Sequence, residues 1–213
     1  MGDYILATSL KHAAITGNVK LVELVSKLGQ DLSEGEILQL SNISNREFSE
    51  EIYFDVIRKK TAALFAVAAE SGAVAVGASD EEIEIAYQFG DMLGIAFQIK
   101  DDIFDYFDNS EIGKPTGNDM LEGKLTLPAI YVLNKLNDER LNSLALRIRD
   151  TEVTKEEISD FVETIKREGG IEYAENVMND YRKKAIALLP SSVDEDIKSA
   201  LAAYLDYVIE RKK

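Results

Sequence analysis

Cysteine and tryptophan are absent from the chain, and histidine and proline are scarce, with one and three residues among 213. Without cysteine, neither a disulfide framework nor a thiolate metal site can form, which fits the reducing environment of the cytoplasm. We therefore expect a cytoplasmic protein. The lone histidine, His12, has no metal-ligating residues spaced around it, so we interpret it as structural and expect no histidine-activated nucleophile.

Basic residues are outnumbered: 24 Lys and Arg stand against 39 Asp and Glu, and the formal net charge is −15 at pH 7. This balance argues against a nucleic acid partner, because phosphate backbones require basic surfaces. It leaves open a phosphorylated small molecule held through bridging metal ions. Charges interrupt every long apolar run, so the sequence predicts no transmembrane segment. Met1 to Tyr4 lead directly into a helical pattern, and we expect no secretory signal.

Helical periodicity covers almost the whole chain, and there is no convincing strand, repeat or low-complexity tract. The sequence therefore predicts a single all-α domain over residues 1–213. Ser41 to Asn45 is predicted to be a turn in which Ser44 or Asn45 caps the next helix, and Ser79 with Glu82 predicts a capping box. Helices are predicted over 3–16, 19–40, 46–77 and 121–136, and a long helix is predicted from Ser79 to the aspartates described in the next paragraph. Three further helical stretches are predicted between about Thr154 and Lys213, with breaks at Gly169-Gly170 and Pro190.

The longest predicted helix carries an apolar stripe that ends in carboxylates. The stripe steps by three and four residues, as one face of a helix does, through Ile83, Ala86, Gly90, Leu93 and Phe97. Its next positions are Asp101, Asp105 and Asp108, with Asp102 beside them. An unpaired buried carboxylate is strongly destabilising, so we expect a cation there. Carboxylates one turn apart inside a helical bundle suit a hard divalent cation.

The alternative for these aspartates is that they cap the helix end or lie on a solvated face. Aspartate favours helix N-termini over positions that follow several apolar turns, however, and such local violations tend to mark functional sites. An EF-hand loop does not fit, because its ligand spacing and central glycine are absent.

Two basic clusters accompany the aspartates. The first is Arg58-Lys59-Lys60-Thr61, whose alternative interpretation is a basic, solvated helix face. A run of small residues follows it, and such residues either allow close helix packing or leave room for a ligand. The predicted irregular segment from Ser110 to Asp119 carries Lys114, and Lys124 follows it. This segment is not a P-loop, because it does not match the pattern G-x-x-x-x-G-K-[ST] and proline follows the lysine. The alternative interpretation of the segment is an ordinary flexible turn.

Taken together, these stretches resemble the trans-isoprenyl diphosphate synthases, the polyprenyl synthetase family. Five blocks within residues 2–136 follow the family's order, and the remainder, 137–213, is compatible with its variable C-terminal packing helices. The blocks are Gly2-Asp3-Tyr4-Ile5-Leu6-Ala7, Gly35-Glu36-Ile37-Leu38-Gln39-Leu40, Lys60-Thr61-Ala62-Ala63-Leu64-Phe65, Phe97 through Asp105, and Gly113-Lys114-Pro115 through Gly123-Lys124-Leu125-Thr126-Leu127-Pro128.

The resemblance implies an isoprenoid-synthase-type bundle of helices around a central cavity, in which an allylic diphosphate ionises and its carbocation is attacked by isopentenyl diphosphate. It implies Mg²⁺ as the cofactor. The matching metal ligands are Asp101, Asp102 and Asp105. The matching substrate-binding residues are Lys60, Thr61, Gln98, Lys114 and Lys124, of which Lys60 and Lys114, with Asp101, are expected to be catalytic.

The sequence departs from the family at its start. The family places a first aspartate-rich motif, and the basic residues for isopentenyl diphosphate, before the Gly-Asp-Tyr block, which is residues 2–4 here. No other D-D-x-x-D occurs, and Asp80-Glu81-Glu82 is typical of a helix N-terminus. The chain thus looks like the C-terminal two-thirds of such an enzyme, N-terminally truncated, and we expect its activity to be impaired.

Three functions remain as hypotheses. The first is a polyprenyl diphosphate synthase that has lost its N-terminal portion, and the second is a non-catalytic or complementing subunit whose partner supplies the first motif. A class I terpene cyclase fits less well, because the blocks resemble chain-elongation enzymes. Exposed helix faces left without their neighbours predict a homodimer, other self-association or a partner subunit.

Overall fold

The computed structural model describes residues 1–43, 46–107 and 116–211, and every regular element in these ranges is helical. The predicted all-α class is therefore confirmed. The elements are α1 (Gly2–Ile15), α2 (Val19–Ile43), α3 (Glu50–Ile57), a π-helical turn (Arg58–Ala62), α4 (Ala63–Ala75), α5 (Asp80–Phe104), α6 (Asn118–Leu121), α7 (Leu127–Leu136), α8 (Glu139–Arg149), α9 (Lys155–Arg167), α10 (Gly170–Ala187) and α11 (Glu195–Glu210).

Helix α5 is the centre of the bundle. It packs against α3, the π-helical turn, α4, α7, α10 and α11. Ile95, Ala96 and Ile99 have no exposed surface, and Phe89 and Leu93 are also buried. A helix that is apolar on all sides must be enclosed by other helices, which is what its sequence predicts.

Small residues let α5 cross α4 at close range. A Cβ atom on Gly90 would lie 2.5 Å from the carbonyl oxygen of Phe65, and one on Gly94 would lie 2.5 Å from the Cα of Ala62. Ala62 and Ala66 are completely buried at this crossing. Of the two interpretations of the small-residue run, close helix packing is therefore observed here.

The basic cluster lies on the π-helical turn between α3 and α4. The turn consists of Arg58 to Ala62 and interrupts what the sequence predicts as one continuous helix. Helix α2 presses against it, because a Cβ atom on Gly35 would lie only 2.9 Å from the backbone nitrogen of Lys60. Single π-helical turns inside helices are frequent at functional sites.

Two predicted boundaries around residue 45 are wrong. Helix α2 continues through Ser41 and Asn42 to Ile43, where a turn is predicted. The N-cap of α3 is Ser49, whose hydroxyl accepts a hydrogen bond from the Ile52 backbone N–H, so α3 begins later than predicted. Ser49 is followed by two glutamates, which favour a helix N-terminus there. Ser44 and Asn45 lie outside the described residues.

The other boundaries agree better. The Ser79–Glu82 capping box is present, and α9, α10 and α11 have breaks at the predicted glycines and proline. Helix α7 begins at Leu127 instead of residue 121, because Gly123 adopts a φ of 78° and Pro128 occupies the first turn. Helix α6 lies partly inside the predicted irregular segment, and α8 was not predicted. The C-terminal helices share one hydrophobic core with α5 and α7.

Among the described residues, none of the helices combines the length with the apolar character that a membrane crossing requires.

Candidate active site

Asp102, in the last turn of α5, is the most buried of the acidic side chains at this end of the helix, with 4% of its surface exposed. Its Oδ2 atom accepts a hydrogen bond of 2.6 Å from the Tyr53 hydroxyl, and its Oδ1 atom accepts one of 2.8 Å from Gln98 Nε2. The Gln98 Oε1 atom in turn accepts a hydrogen bond of 2.6 Å from the Thr61 hydroxyl. This network fixes Asp102 between α3, α5 and the π-helical turn.

Burial dominates the electrostatics of Asp102. The pKa of Asp102 is raised to about 8: loss of water is the largest cause, the negative charges of Asp119 and Asp101 add to it, and the hydrogen bonds from Tyr53 and Gln98 partly offset it. Burial also raises the pKa of Tyr53, as does the neighbouring carboxylate, so Tyr53 remains a donor. A cation beside Asp102 would favour its ionised form, because opposite charge offsets desolvation.

A cavity of about 200 Å³ opens beside this network. Acidic and basic side chains line it together, which is unusual for plain packing. The lining residues that bear on chemistry are Lys60, Thr61, Gln98, Asp102, Asp119 and Lys124.

Both lysines reach the cavity from different elements. Lys60 Nζ lies 2.7 Å from Gln39 Oε1 and 2.6 Å from Glu36 Oε2. Lys124 Nζ lies 2.5 Å from Glu122 Oε2. Partial burial lowers the pKa of Lys124, but the hydrogen bond and charge of Glu122, together with the charges of Asp119 and Glu36, outweigh this effect and the net shift is upward. Lys124 is therefore a charged donor at the cavity.

Asp101 and Asp105 have other partners. Asp101 Oδ1 lies 2.5 Å from Arg211 Nη2, across a sequence separation of 110 residues. The Asp105 carboxylate accepts hydrogen bonds of 3.0 and 3.1 Å from the backbone N–H groups of Asn118 and Asp119, and so holds the start of α6. The three aspartates of the motif thus contact three different parts of the fold.

This arrangement constrains how a metal could bind. Within residues 1–43, 46–107 and 116–211, no three acidic or histidine side chains are grouped as a metal site. Protein-bound Mg²⁺ commonly uses only one or two carboxylates, with water and substrate phosphate oxygens as its other ligands. Asp102 and Asp119, which line the same cavity, offer such a donor pair. The residues present therefore fit Mg²⁺ bound together with a phosphorylated ligand.

Five of the predicted site residues lie together on this cavity: Lys60, Thr61, Gln98, Asp102 and Lys124. Asp101 and Asp105 lie close in sequence to residues that line the cavity, but they do not line it themselves. Lys114 and Asp108 lie outside the described residues.

Sequence reasoning gave no role to several polar residues that line the cavity, among them Tyr53 and Asp119. Tyr53 precedes Lys60 by seven residues, which is two helical turns and the same face, and this spacing could have indicated it. Asp119 follows the glycine-rich segment, but only the tertiary fold brings it to the Asp102 cavity.

The sequence model of the polyprenyl synthetase family matches residues 1–165. Among curated relatives, the chain is 35% identical over 212 residues to heptaprenyl diphosphate synthase component 2 of Bacillus subtilis, covering 99% of this chain and 60% of that protein. It is 30% identical over 214 residues to octaprenyl diphosphate synthase of Escherichia coli, covering all of this chain and 66% of that protein. The chain therefore spans less than two-thirds of the length of these relatives.

Solved structures show the same fold. A geranylgeranyl pyrophosphate synthase from Bacteroides thetaiotaomicron is 56% identical and superimposes with a TM-score of 0.93, over 99% of this chain and 70% of that one. A polyprenyl synthase from Caulobacter crescentus, complexed with calcium and isoprenyl diphosphate, is 32% identical with a TM-score of 0.91, over 100% of this chain and 65% of that one. The five sequence blocks, the helical bundle and these matches agree, and the chain belongs to the polyprenyl synthetase family.

Proposed function

We propose that the chain carries the allylic-diphosphate half of a polyprenyl diphosphate synthase, which transfers an allylic prenyl group onto isopentenyl diphosphate in isoprenoid biosynthesis with Mg²⁺. The observation that carries the proposal is the cavity on which Lys60, Lys124, Asp102 and Asp119 meet. Cations for phosphate oxygens and carboxylates for a metal lie within one small space there. Neither set would be expected on a purely structural packing surface.

Each side chain has a defined task in this proposal. Lys60 and Lys124 bind diphosphate oxygens and stabilise the charge that develops as the allylic C–O bond breaks and its electron pair passes to the diphosphate. Asp102 and Asp119 would hold Mg²⁺, which would supply further charge neutralisation when bound. Tyr53 and Gln98 keep the Asp102 carboxylate oriented by their hydrogen bonds.

The remaining steps belong to the substrates. The double bond of isopentenyl diphosphate attacks the carbocation, a new C–C bond forms, and loss of a proton restores an alkene. Thr61 holds Gln98 in place. Three further roles rest on the family resemblance. Asp101 and Asp105 are proposed as additional metal ligands, and Lys114 is proposed as a diphosphate ligand. Asp101 and Lys114 are catalytic in the proposal. A cytoplasmic location is part of the same proposal.

The first test measures binding and turnover of the purified 213-residue chain. We expect an allylic diphosphate to raise the unfolding temperature when Mg²⁺ is present, and not when EDTA replaces it. Elongation of labelled isopentenyl diphosphate should be weak, because the family's first aspartate-rich motif is absent from the sequence. Absence of any Mg²⁺-dependent protection would contradict the proposal, and rapid elongation would contradict the expected impairment.

Adjacent lysines provide a matched control. Lys59 and Lys60 each form an ion pair of 2.6 Å, with Glu34 and Glu36 respectively, and their side chains are 40% and 37% exposed. Only Lys60 lines the cavity. Lys60→Met should weaken Mg²⁺-dependent diphosphate binding by at least about tenfold, as loss of a charge-assisted contact does, and Lys59→Met should leave it unchanged. Equal effects of the two variants would place the diphosphate elsewhere.

A complementing subunit is the second candidate function. One relative's name identifies it as a component of its enzyme. In addition, α1 exposes the large apolar side chains of Tyr4, Ile5 and Ile15, which suits contact with a partner or with a second copy of the chain. Light scattering would report dimerisation, and prenyl transfer that appears only after a second polypeptide is added would favour this candidate. A monomer at all concentrations would argue against self-association, and no gain of prenyl transfer with the second polypeptide would argue against a complementing subunit.

A further inference from the structure

The C-terminal end of α11 returns to the aspartate motif through one side chain. Arg211, which follows the last residue of α11, donates hydrogen bonds from Nη2 to the Phe97 carbonyl oxygen at 3.1 Å and to Asp101 Oδ1 at 2.5 Å. Its guanidinium carbon lies 3.9 Å from the centre of the Phe97 ring. The guanidinium group is therefore held both by an aromatic face and by two oxygen atoms of α5.

The contact is more specific than an ordinary surface ion pair. The Arg211 side chain is 21% exposed, and its Nε atom is buried and lacks a hydrogen-bond partner among the described residues. A buried donor without a partner is unfavourable, so the position of the group must be fixed by its other contacts. These contacts are the Phe97 ring and carbonyl, and the Asp101 carboxylate.

We infer that Arg211 is a positioning residue for Asp101: it holds this carboxylate and competes with a divalent cation for it. The inference rests on the proposed function, because it takes Asp101 as a metal ligand. Arg211 places one positive charge where the metal would place another. Cation binding to Asp101 would therefore weaken the hold of the guanidinium group on this carboxylate, because the two positive charges repel each other.

A direct consequence is that removing Arg211 strengthens metal binding. With Mn²⁺ as the metal and inorganic diphosphate as the second ligand, Arg211→Met should bind Mn²⁺ about two- to fivefold more tightly than the parent chain, the range expected for loss of a partly exposed competing ion pair. Arg211→Lys keeps the charge but not the planar double contact, so its affinity should fall between those two. Mn²⁺ electron paramagnetic resonance measures free metal directly and requires no turnover.

The control is Arg182→Met. Arg182 forms an ion pair with Asp206 that connects α10 to α11, and its side chain is 30% exposed. Like Arg211→Met, this variant removes a positive charge from an ion pair that connects α11 or its C-terminal end to a neighbouring helix. Its urea midpoint should fall by a similar small amount, while its Mn²⁺ affinity stays that of the parent chain. A purely structural role of Arg211 predicts identical behaviour of the two variants.

A double-mutant cycle separates the outcomes. In an Asp101→Asn background, Arg211→Met should no longer change Mn²⁺ affinity, because the contested carboxylate is gone. If the parent chain binds Mn²⁺ with diphosphate and Arg211→Met does not tighten it, the inference is overturned and the proposed function stands. If neither protein binds Mn²⁺, both the inference and the proposed function are contradicted. Binding by Arg211→Met alone would support the inference in its strongest form.

Discussion

The two ends of α5 carry the same kind of side chain in opposite surroundings. Asp80, Glu81 and Glu82 occupy its first turn and are exposed to water, whereas Asp102 near its last turn is buried. The backbone and side-chain hydrogen bonds from Ser79 lower the pKa of Glu82, while burial raises the pKa of Asp102 to about 8. One helix thus holds an acidic group that favours folding and another that opposes it.

The helix dipole sharpens this difference. Carboxylates at the N-terminus interact favourably with the partial positive charge of the first turn, and those near the C-terminus meet partial negative charge. The N-terminal group is therefore explained by α5 alone, through the capping box. The C-terminal group requires a cation from outside the helix, namely Arg211 at Asp101 and, in the proposed function, Mg²⁺ at Asp102. An acidic cluster that its own helix does not explain points to function.

The largest expected effect comes from removing the buried carboxylate near the C-terminal end of α5. Asp102→Asn should lower the affinity for Mg²⁺ with diphosphate by about 100-fold, because a charged ligand is lost at a water-poor site. Asp80→Asn should leave this affinity within about twofold. Isothermal titration of both variants checks the prediction. Similar losses in the two variants would mean that net charge, rather than the position of Asp102, controls binding.

The next prediction concerns pH, in metal-free protein. The folded-state pKa of Asp102, about 8, lies above the unfolded value of about 3.9, so the folded state binds the proton more tightly. The stability that this group contributes is fully present below pH 4 and is lost as pH rises toward 8. The free energy of unfolding of the parent chain should therefore fall relative to that of Asp102→Asn by about 1 kcal/mol per pH unit between pH 5 and 7.

Urea titrations in EDTA at several pH values measure this difference. The corresponding Glu82→Gln comparison should show no such fall, because the Glu82 pKa is lowered. A constant difference between Asp102→Asn and the parent chain would mean that Asp102 stays ionised in the folded state.

The close crossing of α5 with the π-helical turn should also be sensitive to substitution. Gly94→Ala would place a methyl group 2.5 Å from the Ala62 Cα atom and should destabilise the fold by about 1–3 kcal/mol through overpacking. Gly72→Ala, where no atom lies within 4 Å, should instead stabilise α4 by about 0.5–1 kcal/mol. Chemical denaturation distinguishes the two. A neutral Gly94→Ala would show that the helices can separate without loss.

The smallest effect belongs to the solvent-exposed end. Ser79→Ala removes the side-chain half of the capping box and should lower the free energy of unfolding by about 1 kcal/mol. Diphosphate binding should not change, because the capping box lies at the opposite end of α5 from the cavity. Reduced binding at unchanged metal concentration would show that the two ends are coupled.

Part of the candidate site could be predicted from the sequence. Lys60, Thr61, Gln98, Asp102 and Lys124 were identified from family blocks and do meet on one cavity. Which aspartate is buried could not be predicted, because the stripe places Asp101 and Asp105 inward while the fold buries Asp102 most deeply. The partners of these aspartates come from distant segments, since Tyr53 of α3 donates to Asp102 and Arg211, beyond the end of α11, donates to Asp101.

The sequence by itself determined the helical class, the central place of α5 and the capping box at Ser79, because each depends on periodicity or on residues within one turn of each other. The tertiary structure alone decided the partners of the aspartates. Tyr53, Asp119 and Arg211 reach α5 from three other segments, at distances set by helix packing rather than by spacing in the chain. Local interactions are encoded locally, whereas the surroundings of a buried charge exist only after the helices have packed.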